Sequence, residues 1–205
     1  MLKSTIKIKR NVDYRLSFGT GGLYVNESIV LLNLYLECED WSQVIEKSVE
    51  NNILQFKSDA STRRATREIC IRLQSLLPEE RSFFLDADTQ DQSMITWVSV
   101  CRTYDFIGTF ASSILIDSYA SYRLELSHAD FDFFFEEQIQ WHPELEEVTE
   151  TTRKKLRQIL FRMMREAGFL SRSMVLNALT PSSNLRNLTQ QTNIDLGRFI
   201  PGVAA

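Results

Sequence analysis

Thr152-Arg-Lys-Lys-Leu-Arg-Gln-Ile-Leu-Phe-Arg162 is the stretch from which the rest of the chain can be read. A near-copy stands 90 positions earlier, Thr62-Arg-Arg-Ala-Thr-Arg-Glu-Ile-Cys-Ile-Arg72. Both fit one template: Thr, Arg, a basic residue, two free positions, Arg, a free position, Ile, two free positions, Arg. Around the second copy, Leu156, Ile159, Leu160, Met163, Met164 and Ala167 recur at the i, i+3, i+4 spacing of a helix that buries one stripe. Lys154 and Arg165 fall opposite that stripe. Lys155 and Arg162 flank it on one side, Arg153 and Arg157 on the other. In the first copy Ile69, Leu73 and Leu76 share a face, and Arg63, Arg64 and Arg67 fall roughly opposite, with Ile71 beside them.

Each copy is preceded by a helix and a turn. Asp40-Trp-Ser-Gln43 reads as a capping box for a helix to about Leu54, and Asn26 caps an earlier helix to about Cys38. The first basic helix then starts near Asp59–Ser61 and stops by Pro78. In the second half, Ser127-His-Ala-Asp130 opens a helix to about Trp141, which His142-Pro143 ends. Thr149–Thr152 caps the second basic helix, and Gly168 stops it. Between these, residues 79–120 read as two or three helices forming the central core, with Gly108 marking a break or a close helix contact. Phe169–Leu179 is a short apolar helix or strand, and a last helix follows Pro181. The tail from Thr192 has no periodicity and is expected to be loosely attached. The pattern predicts an all-α, multi-helix globule with two helix-turn-helix-like units, one in each half (1–88 and 89–205), packed as one compact body.

The 205 residues, 43% of them hydrophobic, suffice for a core. No stretch reaches the ~20 apolar residues of a membrane helix. The best candidate, Phe106–Ile116, is short and polar-interrupted. The basic N-terminus (Lys3, Lys7, Lys9, Arg10), with weak alternation at Thr5–Lys9, lacks the apolar run of a secretory signal. Cys38, Cys70 and Cys101 form neither a Cys-x-x-Cys pair nor a zinc spacing with His128 or His142. A reduced cytoplasmic compartment is expected. The net charge of −4 conceals segregation. Glu79–Val148 holds 15 acidic residues against 3 basic, whereas Lys57–Arg72 has a net +3 and Thr149–Arg172 a net +5.

No catalytic constellation stands out. The glycines of Phe18-Gly-Thr-Gly-Gly22 lack the phosphate-loop spacing and read as a turn. The acidic pairs Asp130/Asp132 and Glu136/Glu137 have no fixed geometry for metal or acid–base work, and Phe131–Phe135 at helical spacing reads as core. The basic helix starts point elsewhere. A helix N-terminus offers free N–H groups and a positive dipole end to phosphate. Cations there oppose the dipole, which suggests a use beyond folding. The candidate DNA contacts are Thr62, Arg63, Arg64, Arg67, Thr152, Arg153, Lys154, Lys155 and Arg157. The plain alternative is a solvated helix face.

A family resemblance joins this reading. Thr20-Gly-Gly-Leu23 with Glu27-Ser28, Asp40-Trp41, Ala60-Ser-Thr-Arg-Arg64 with Arg72-Leu73, Cys101-Arg-Thr-Tyr104, His142-Pro-Glu-Leu145, and Thr152-Arg-Lys-Lys-Leu156 with Arg165-Glu-Ala-Gly168 together resemble the BrxA family of bacteriophage-exclusion (BREX) defence systems. The resemblance implies a helical protein that binds double-stranded DNA, has no enzymatic activity or cofactor, and works beside a methyltransferase, an ATPase and other defence proteins. No metal, membrane or small-molecule substrate is expected. Two other readings stay open: an assembly factor whose basic helices dock on an acidic protein, and an RNA-binding protein of the antitermination type.

Overall fold

Short polar side chains start most of the helices, where they accept the N–H groups that a helix's first turn leaves unpaired. The computed structural model describes residues 14, 16–19, 21–192, 194 and 196–203, so the alternation read at Thr5–Lys9 lies outside the described residues. α1 (Val25–Cys38) is one of the helices that start without a side-chain cap. Its N-cap is Tyr24, at φ 65°, with no side-chain cap, and Asn26 lies inside the first turn. Asp40 caps α2 (Trp41–Glu50) by accepting from the N–H groups of Ser42 and Gln43 at 2.6 and 3.3 Å. Ser58 caps α3 (Asp59–Gln74), and Pro78 opens α4 (Pro78–Asp86). Asp88 caps α5 (Thr89–Thr103). α6 (Asp105–Phe110), a π-helical turn (Ala111–Leu115) and α7 (Ile116–Ala120) follow without a gap.

Ser127 and Asp130 cap α8 (His128–Ile139) reciprocally. Burial alone would raise the Asp130 carboxyl, but hydrogen bonds from Ser127 and Arg123 outweigh it and hold the group below its ordinary range. Pro143–Glu147 is one 3-10 turn, and Thr149 caps α9 (Glu150–Glu166). Gly168 then adopts φ +91°, the left-handed geometry that ends a helix without a Cβ clash. The apolar piece after it is an extended turn held by isolated antiparallel bridges, Leu170 to Leu176 and Glu125 to Val175. α10 (Ser183–Thr192) and a 3-10 turn (Leu196–Arg198) close the chain. The expected all-α class holds, and the described residues contain no strand longer than such a bridge.

α5 is buried from Asp91 to Cys101, and α1, α3, α4, α6 and α9 pack against it. Gly108 resolves as a close contact. A Cβ there would lie 2.7 Å from the Cys101 carbonyl oxygen, so α6 leaves the end of α5 at a distance that only glycine permits. Two expectations are corrected. The tail is not loose: Ile194, Leu196, Phe199 and Ile200 are buried, and the Trp97 indole N–H donates to the Phe199 carbonyl at 2.8 Å. Apolar burial at about 1.5–3 kcal/mol per side chain holds a segment whether or not its pattern is periodic. The Phe cluster of α8 is not all core. Phe131, Phe134 and Phe135 are buried, but Phe133 points outward at 63% exposure.

Candidate nucleic-acid interface

The outer face of α3 carries the first group of candidates. Ala60, Arg64, Arg67 and Ile71 succeed one another at three- and four-residue steps, and Arg63 stands three after Ala60 and four before Arg67, so all five share one side of the helix. With Ser17 and Glu68 they line an open groove of about 610 Å³. All three arginines are exposed and enter no ion pair among the described residues. Three unpaired guanidiniums on one groove wall make a local positive field and offer bidentate donors. Ile71, half-buried between the groove and the core, accounts for the apolar position that the helical wheel put on this face.

Thr62 does not belong to that surface. It is fully buried, and its hydroxyl donates to Asn52 Oδ1 and to the Ser58 carbonyl, each at 3.1 Å. It joins the turn before α3 to the helix. The turn from Asn51 to Ser58 is thereby tied to the helix that presents the arginines.

At the start of α9 the same template meets different surroundings. Arg153 and Arg157, one helical turn apart, face α8. Arg153 pairs with Asp132 at 3.4 Å and with Glu136, donates to the Asp132 carbonyl at 2.6 Å, and lies 4.6 Å over the Phe135 ring. Arg157 pairs with the other Asp132 oxygen. Their side chains are only 19% and 17% exposed. These cations join α8 to α9, and the carboxylates already neutralise them. Lys154 is exposed and pairs with Glu150 at 2.6 Å, one turn before it. Thr152 is exposed, and its hydroxyl accepts from the capping Thr149 at 3.0 Å. Of the four cations here, Lys155 alone is exposed and outside any ion pair among the described residues.

The last arginine of each copy serves a third purpose. Arg72 is 2% exposed and pairs with Glu68 at 3.1 Å. It also donates to the carbonyls of Gly22 and Leu23 at 3.0 and 3.4 Å. Arg162 pairs with Glu166 at 2.7 Å, and the other oxygen of Glu166 accepts the Leu23 N–H at 2.6 Å. The glycine-containing segment ahead of α1 is therefore a strap, held from one side by α3 and from the other by α9. A Cβ at Gly22 would lie 2.4 Å from a Glu166 carboxylate oxygen, so a side chain there would have to push that carboxylate from its place on the strap. At Gly19, by contrast, an added Cβ would lie an ordinary 4.0 Å from the Leu156 side chain of α9, so no close approach demands glycine there. The glycines lie in the turn and strap ahead of α1, in keeping with their reading as a turn before a helix.

Both histidines are engaged by neighbouring side chains. His142 pairs with Glu144 at 3.2 Å and stacks on Tyr14, and His128 meets the edge of Phe161. Among the described residues no three His, Cys, Asp or Glu side chains converge as a metal site would require, and no helix is long and apolar enough to cross a membrane. A hollow missed by the candidate set lies beyond the strap, lined by Arg162, Arg165, Glu166, Leu170 and Arg172. Its signal in the sequence was Gly168, which folds the chain back and brings Arg172 beside the end of α9.

Comparison with known proteins follows the same architecture. A family model described as BrxA matches residues 12–193. The chain is 26% identical over 163 residues to the BREX protein BrxA of Paramagnetospirillum magneticum, covering 78% of this chain and 80% of that one. It is 23% identical over 150 residues to the BREX protein BrxA of Escherichia coli, covering 73% and 70%. With the Bacillus cereus protein of the same description it shares 24% over 128 residues, 62% and 64% of the two chains. A crystal structure of an uncharacterized protein from Magnetospirillum magneticum superposes with a TM-score of 0.78 at 21% identity, covering 94% of this chain and 100% of that one, which bears on the fold alone.

Proposed function

The chain belongs to the BrxA family of BREX phage-defence systems, and from that premise we propose that it binds double-stranded DNA there without catalysing a reaction of its own. The observation that carries the proposal is the α3 groove, where Arg63, Arg64 and Arg67 stand exposed and unneutralised beside one another. α2, the turn after it and α3 form a helix-turn-helix-like unit in which α3 is the helix presented to the duplex. Its guanidiniums contact phosphates first, a contact that positions the protein without reading bases. Lys155 adds a cation from α9, with Thr152 and Lys154 at the same exposed helix start. Other proteins of the defence system are its partners in this reading. Arg153 and Arg157 stabilise the fold and contribute no DNA contact.

Fluorescence anisotropy with a labelled duplex tests this. Reversing charge at Arg63, Arg64 and Arg67 together is expected to weaken binding by at least about a hundredfold at low salt, with the log–log salt slope becoming shallower by about 3. Unchanged affinity in a folded triple variant would sink the proposal. Preferential binding of structured RNA over the duplex would replace DNA by RNA as the ligand.

A further inference from the structure

The hollow beyond the strap has a volume of about 380 Å³ and is lined by Arg162, Arg165, Glu166, Leu170 and Arg172. Its walls are fixed by the backbone. Gly168 reverses the chain after α9, and the Leu170–Leu176 bridge closes the turn that carries Arg172. Inside that turn the Val175 N–H donates to Ser171 Oγ at 3.0 Å and the Met174 N–H to the Ser171 carbonyl at 3.1 Å. Arg172 therefore projects from a turn with its own hydrogen bonds. Leu170 is 3% exposed and ties the lining to the core.

Glu166 does not cancel the positive charge of the hollow. One of its oxygens holds Arg162, and the other accepts the Leu23 N–H. Arg165 and Arg172 are exposed and enter no ion pair among the described residues. Two unneutralised guanidiniums on a concave surface suit the planar, bidentate recognition of a phosphodiester. The strap lies between this hollow and α3, since Gly22 and Leu23 bond to Arg72 of one helix and Glu166 of the other.

We propose that the Arg162–Arg165–Arg172 hollow is a second phosphate-binding site for duplex DNA, so that one sugar–phosphate backbone is held on both sides of the strap. The inference rests on the reading that the α3 groove binds DNA and adds where the second contact lies: at the C-terminal end of α9, not at its start. Both exposed arginines can be changed without touching the core or the strap.

The test compares Arg165→Glu/Arg172→Glu with the α3 triple variant and the unchanged chain, by anisotropy with one labelled duplex over a salt series. A second site predicts at least about tenfold weaker binding by the Arg165/Arg172 variant and a slope shallower by about 2. If that variant binds like the unchanged chain while the α3 variant loses binding, the second site is overturned and the α3 reading stands. If neither variant loses binding, both fall. Circular dichroism melts matching the unchanged chain confirm that any loss comes from the surface and not from folding.

Discussion

Arg63 and Arg153 hold the same place in the repeat and serve different ends. Arg63 faces an open groove, whereas Arg153 lies on Phe135 between Asp132 and Glu136. The difference comes from what stands opposite each helix, which the local spacing does not encode. The wheel did separate Arg153 and Arg157 from Lys155 and Arg162, placing them on opposite flanks of the apolar stripe. It could not say that one flank meets an acidic helix. Replacing Arg153 and Arg157 with alanine is therefore expected to lower stability, by about 2–3 kcal/mol from the lost ion pairs and cation–π contact. DNA affinity should not change. Urea unfolding and anisotropy on the same preparation check both halves of this statement, and a DNA-binding loss at unchanged stability would reverse the assignment.

Elements were legible where their signals are local. The caps at Asp40, Ser127 and Thr149, the stop at Gly168 and the break at Pro143 each depend on a few neighbouring residues, and each stands close to where the sequence puts it. The division of α5 from α6 carries no such mark. Tyr104 takes extended geometry (φ −122°, ψ 101°) with neither proline nor glycine at the break, and Gly108 lies inside the following helix. Its meaning became visible only from the Cys101 carbonyl beside it. An alanine in a helix interior ordinarily adds about 0.8–1.0 kcal/mol over glycine. Here the added Cβ would lie 2.7 Å from backbone oxygen, which has no flexible end to swing away. Gly108→Ala is expected to destabilise the protein by about 1–3 kcal/mol despite the better helix propensity. A rise in melting temperature would show that the α5–α6 junction yields more easily than this packing implies.

At the scale of the whole molecule, one cluster of buried side chains runs from Phe18 in the strap to Ile200 in the tail. The sequence shows the apolar residues but not that Phe18 of the strap and Ile194, Leu196, Phe199 and Ile200 after α10 belong to the core, because burial there follows tertiary fit and not a repeat. Cys70 and Cys101 lie within this core, and neither is in a disulfide. Burial pushes the Cys70 thiol up to about 12 from an ordinary value of 9.0, and burial likewise raises Cys101 well above it, against a smaller opposing effect of Arg198. Both states of the protein keep these protons below about pH 9, so stability there does not depend on them. Above it the unfolded chain releases them while the folded chain does not, and unfolding gains. For Cys70 this costs about 1.4 kcal/mol by pH 10, until the folded thiol itself titrates, and Cys101 adds to the loss in the same direction. Burial also raises the phenols of Tyr14 and Tyr24, which add the same sign of effect at still higher pH. The urea midpoint should therefore fall between pH 8 and 10, and Cys70→Ala with Cys101→Ala should flatten that fall while lowering the midpoint at pH 8. A double variant that declines as steeply as the unchanged chain would place the alkaline sensitivity outside these two core thiols.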